Sequence, residues 1–238
     1  EELNKRIIEV LSTVDMENDI REIGLRGTID PRARPELAER ILKARAAFHD
    51  RLSDPEVATL VEVFDSERYN DNATLAENLL FGSPVGDAFD IERLSENPYV
   101  LEVLAAAELT DELLGIGRQV ASTMVELFAD LPPGHEFFER FSFISHDDLP
   151  EYQALLTRLG NEGLPDDLRD EERAMLFALS FKLAPARHRL DLIDDTIREK
   201  VLRARRYFAD NLPSELQGAI EPLDNRSYNA SLSIQDNI

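Results

Sequence analysis

Four histidines, at positions 49, 135, 146 and 188, are the side chains best suited to proton transfer or metal ligation near neutral pH. A helical metal site needs a second ligand three or four residues away, a spacing that His188 has with Asp191. In a chain with 31% charged residues such pairs arise routinely as solvated ion pairs, and this one reads that way. His146, Asp147 and Asp148 could form a general base with orienting carboxylates. Their place just before Pro150 reads instead as a helix N-cap, with Asp148 the capping residue.

Other candidate chemistry thins out on inspection. "GIGRQV" from Gly115 has two glycines of a dinucleotide fingerprint, but Val120 replaces the third and no strand precedes it. No serine sits in a G-x-S-x-G elbow. The acidic pairs Asp166/Asp167 and Asp194/Asp195 are sequence neighbours and point different ways on a helix. Lys200, Arg203, Arg205 and Arg206 make the one basic cluster, which reads as a salt-bridged helix face, with a phosphate or partner contact as the alternative. With no cysteine, thiolate chemistry and disulfides are excluded. No catalytic, cofactor or metal site is expected in this chain.

Charge narrows the partners. Forty-eight acidic residues against 26 basic give a net charge of -22, which repels phosphate backbones and anionic headgroups, so nucleic-acid binding is not expected. No apolar run reaches the roughly 18–20 residues of a membrane span, and no direct membrane insertion is expected. The opening "EELNKR" lacks a Met and carries no signal peptide, which suggests a soluble piece of a longer protein.

The elements that would position these residues are helical. Apolar residues recur at three and four positions, as in Leu3, Ile7, Leu11 and Val14. The pattern predicts helices over about 2–14, 35–51, 55–63, 74–81, 98–108, 110–130, 147–160, 169–183, 186–210 and 213–219. Pro35 suits a first helical turn, where its missing N–H costs nothing. The stretches from Gly82, Asp130 and Gly160 combine Gly, Pro and short polar residues as interhelical turns. "HEFFERFSFI", with Phe137, Phe138, Phe141 and Phe143, reads as core, with an exposed docking surface as the alternative. The expected architecture is a single all-α, bundle-like domain over 1–238.

Within it, residues 39–79 recur as 199–238. Aligning 39–54 with 199–214 and 56–79 with 215–238 matches, among others, Leu42/Leu202, Ala44/Ala204, Arg45/Arg205, Phe48/Phe208, Tyr69/Tyr228, Asn70/Asn229 and Asn78/Asn237. Pairs such as Ile41/Val201, Leu75/Ile234 and Glu77/Asp236 keep apolar or charge character. Each copy is an amphipathic helix followed by a loop entering a short helix. Thr74 with Glu77, and Ser233 with Asp236, stand at capping-box spacing, the aspartate being the weaker version. After Asn78 the first copy runs through Phe81 to Gly82, expected as a left-handed C-cap.

"TLAENLLFG" from Thr74 to Gly82, and "SIQDNI" from Ser233 to Asn237 and Ile238, resemble the start of the helical subdomain in the nucleotide-binding domain of ABC transporters, just after the Q-loop. The whole chain looks like a large helical insertion found in some bacterial ABC ATP-binding proteins. The resemblance implies a parent that binds ATP and Mg²⁺, sits at the cytoplasmic face of the inner membrane, and has the rest of the ATPase and the transmembrane domains as partners. This chain itself holds no G-x-x-x-x-G-K-[ST] phosphate loop, no LSGGQ-like segment and no apolar strand ending in Asp-Glu. The resemblance therefore implies a non-catalytic regulatory or coupling insertion. A free-standing helical protein-interaction module is the alternative.

Overall fold

The computed structural model describes residues 2–52, 65–132, 135–136, 143–160, 163–165, 167–223 and 227–238. The fold is all-α, as its periodicity predicts. Its contacts gather into two compact units: residues 1–62 with 221–238, and residues 63–220. The second unit is thus carried within the sequence of the first.

Unit 1 contains α1 (Glu2–Thr13), α2 (Glu17–Arg26), α3 (Pro35–Leu52) and the closing turn of residues 234–237. Pro35 opens α3 as its missing N–H allows. Its buried apolar cluster is small: Ala38, Ile41 and Tyr228, flanked by half-buried Ile29, Leu37, Leu42 and Ile234. α2 was not legible in the sequence, and none of its residues is buried.

Unit 2 holds α4 (Leu75–Leu80), a 3₁₀ turn (Ile91–Glu96), α5 (Pro98–Ala106), α6 (Thr110–Phe128), α7 (Leu149–Leu159), α8 (Asp170–Phe181), α9 (Pro185–His188) and α10 (Asp195–Asp210). The short strand β1 (Gly82–Pro84) belongs to it, and the Val85 amide just after it donates to Ala219 O at 2.8 Å. Helix starts follow local chemistry. The Asn97 side chain accepts from the amides of Tyr99 and Val100, with Pro98 in the first turn. The core is one continuous cluster that includes Phe89, Leu104, Leu113, Leu176, Phe181 and Phe208. α6 and α8 approach closely at Gly117, where any Cβ would overlap the Leu176 carbonyl. The "GIGRQV" stretch is therefore helix interior, its second glycine required by packing.

Three expectations change. The helix expected over 186–210 breaks after His188: Arg189 and Asp191 take positive φ of 51° and 52°, and the Asp194 carboxylate restarts the helix by accepting from the Ile197 amide at 2.8 Å. Residues 213–219 reduce to a 3₁₀ turn, Ser214–Leu216. Asp148 precedes α7 but its side chain caps no amide of that helix; it accepts from the Ser145 hydroxyl at 2.6 Å. The helix expected over 55–63, together with Phe137, Phe138, Phe141 and Asp166, lies outside the described residues.

Candidate functional site

The duplicated segments form one device built twice. In unit 2, the Asn78 side-chain amide donates to the carbonyls of Asn70 at 2.9 Å and Thr74 at 3.0 Å. Its oxygen accepts from the Asn70 amide at 2.9 Å. The loop is thereby tied to the first turn of the helix it enters, and a polar side chain only 2% exposed has its hydrogen bonds satisfied. Arg205 of α10 then grips the same residue, Nε donating to the Asn78 carbonyl at 2.7 Å and Nη2 to the Asn78 side-chain oxygen at 3.0 Å. Its Nη1 reaches the carbonyls of Ser66 at 2.7 Å and Arg68 at 3.0 Å.

Unit 1 repeats the arrangement with the other halves. The Asn237 amide donates to Asn229 O at 2.8 Å and Ser233 O at 2.9 Å, and its oxygen accepts from the Asn229 amide at 2.9 Å. Arg45 of α3 donates through Nε to Asn237 O at 2.6 Å, through Nη2 to the side-chain oxygen at 2.9 Å, and through Nη1 to Ser227 O at 3.0 Å. The helix of the first copy therefore holds the loop of the second, and the helix of the second holds the loop of the first. A planar guanidinium fork fits this double acceptor as an ammonium could not.

The likeness extends beyond the matched residues. The Leu75 amide donates to Leu183 O at 2.9 Å, just past the end of α8. At the aligned position, the Ile234 amide donates to Gly27 O at 2.9 Å, just past the end of α2. α2 thus stands to α3 and its loop as α8 stands to α10 and its loop.

The remaining motif residues differ in detail. Thr74 and Glu77 close a complete capping box, the Thr74 amide donating to the glutamate at 2.7 Å and the Glu77 amide to the threonine hydroxyl at 3.2 Å. Asp236 is shorter and takes the Ser233 hydroxyl at 2.6 Å, while its amide donates back to that hydroxyl at 3.1 Å. The left-handed residue after α4 is Phe81, φ 41°, and not Gly82, which starts β1 in extended form. The Phe81 ring lies 4.4 Å from the Arg205 guanidinium carbon, a cation–π contact that holds this unusual backbone in place.

Electrostatically the clamp is a cation held by dipoles. No ion pair to Arg205 occurs among the described residues, and burial, the largest influence, pulls its pKa down to about 10. It stays charged at neutral pH. Two more residues of the basic cluster form ion pairs: Lys200 with Glu112, and Arg206 with Glu67. His188 accepts the Ala184 amide on Nδ1 at 2.9 Å and packs edge-on against Phe143, so it stands as a helix-end brace. Among the described residues no group of three or more His, Cys, Asp or Glu could hold a metal ion. A cavity of about 570 Å³ in unit 2 is an open groove combining Leu101, Ala105 and Phe177 with Glu96, Asp170, Glu171 and Arg173.

Of the motif residues the sequence brought out, Asn78 and Asn237 lie in the two clamps, Thr74 with Glu77 and Ser233 with Asp236 form the capping turns beside them, Phe81 meets Arg205, and Gly82 starts β1. Sequence reasoning missed the arginines' role. The available signal was that Arg45 and Arg205 are identical across copies, while the basic residues at 43/203 and 40/200 are not. No protein-family model matches the chain, and no curated protein or solved structure matches it. No helix among the described residues is long and apolar enough to cross a membrane.

Proposed function

We propose that this chain is a non-catalytic helical insertion in the ATP-binding protein of a bacterial ABC transporter, lying at the cytoplasmic face of the inner membrane and tuning or coupling ATP use through contacts. ATP and Mg²⁺ would be bound by the parent, and the partners would be the rest of the ATPase and the transmembrane domains. The observation that carries the reading is the doubled clamp on the "TLAENLLFG" and "SIQDNI" motifs. An insertion that duplicated its own junction leaves two equivalent entries into one helix, each needing the same anchor.

The clamps also define the excision that tests it. Joining Glu62 to Glu221 removes residues 63–220 and leaves Arg45 and Asn237 together in unit 1. ATP hydrolysis by the natural gene product is expected to persist after this excision, with its rate or its coupling to transport altered. A natural product that does not hydrolyse ATP, or an excision that changes neither quantity, would sink the proposal.

A further inference from the structure

Unit 2 is a template for what unit 1 leaves uncovered. In unit 2 the clamp helix α10 buries Ala204 and Phe208 completely or nearly so. The Phe208 ring lies 5.1 Å from that of Phe89 and 5.3 Å from that of Tyr99, and the Tyr99 hydroxyl donates to Phe208 O at 2.7 Å. Behind it, α8 buries Leu176 and Phe177. The covering elements are residues 89–128, which follow the clamped loop.

In unit 1 the aligned residues of α3, Ala44 and Phe48, are exposed, Phe48 by 50%. On α2, the counterpart of α8, Ile20 is 44% and Ile23 66% exposed. The same helix pair, held by the same clamp, thus presents to solvent the faces that unit 2 buries. An apolar surface of this kind marks an interaction site.

We infer that the α2–α3 face of unit 1 docks a helical element of the host ATPase, seated on it as residues 89–128 seat on α8 and α10. The identity of the occupant rests on the proposed host. A protein helix suits this face better than a lipid surface, because helices within residues 89–128 are what cover the equivalent faces of α8 and α10 in unit 2. A second copy of this chain is also a poor occupant, since residues 89–128 of each copy are already engaged by their own unit.

The absence of cysteine makes the face easy to report on. Phe48→Cys and, separately, Ile23→Cys place a single thiol at an exposed position, and thiol labelling is followed by mass spectrometry of the peptide carrying it. Labelling is measured in the 238-residue protein and in the natural gene product, with circular dichroism to show that each variant keeps its helicity. At least about tenfold slower labelling in the natural product is expected, since protection reports how seldom the face opens. Equal rates in both proteins would overturn the inference. Labelling of the 238-residue protein that slows as its concentration rises would also overturn it, by making a second copy the occupant. ATP hydrolysis on the same preparations separates the two proposals. Protected thiols without hydrolysis leave the docking face and remove the host; hydrolysis with fully reactive thiols does the reverse.

Discussion

Arg205 and Arg45 do the same work in different surroundings, and that difference is measurable. Arg205 is 5% exposed and stacked on Phe81, whereas Arg45 is half-buried. Lysine at either site keeps the charge but loses the fork. Charge-assisted bonds contribute about 1.5–3 kcal/mol each, so Arg205→Lys is expected to cost roughly 3 kcal/mol or more and Arg45→Lys less, read as a drop in urea midpoint. Glu172 provides a second test. Buried at 3% exposure, it accepts from Arg158 Nε at 2.7 Å and from the Arg169 amide at 3.0 Å. The Arg169 side chain above all, helped by that amide and by Arg158, outweighs desolvation and holds its pKa at about 2. The folded value lies below the unfolded one, so this stabilisation is complete above about pH 4.5 and is lost as the pH falls towards 2. Glu172→Gln should therefore lower the melting temperature at neutral pH, and its gap from the parent protein should close across that acidic window. Asn78 and Asn237 could be picked out from the sequence because they recur. Arg45 and Arg205 recur as well, yet nothing in a single helix reveals which distant carbonyl a guanidinium will find.

At the scale of elements, spacing was a good guide wherever a helix has one buried face. α3, α5, α6, α7 and α8 lie where apolar periodicity puts them, to within a few residues. It failed where backbone conformation rather than burial decides. The break after His188 depends on two left-handed residues that are neither Gly nor Asn, and the end of α4 depends on a phenylalanine held left-handed by a cation. α2 escaped notice because it buries nothing. The α6–α8 crossing gives the sharpest test of packing. Gly117→Ala must push the helices apart and is expected to cost about 1–3 kcal/mol as overpacking. Gly115→Ala, two residues earlier, meets nothing within 4 Å and should instead gain roughly 0.5–1 kcal/mol from helix propensity. Paired urea titrations of the two variants would show opposite shifts.

For the whole molecule, the all-α class follows from local pattern, but the division into two units does not. It arises because each helix of the duplicated pair chooses the other copy's loop, a choice between two nearly identical partners that no periodicity encodes. That choice has a history in the cell. Arg45 leaves the ribosome 192 residues before Asn237. At roughly 5–20 residues per second the wait is on the order of ten to forty seconds. Asn78 emerges long before the wait is over, chemically indistinguishable from the partner Arg45 will finally hold, while Arg205 has yet to be made. Translation thus offers Arg45 the asparagine it does not hold in the fold well before the one it does.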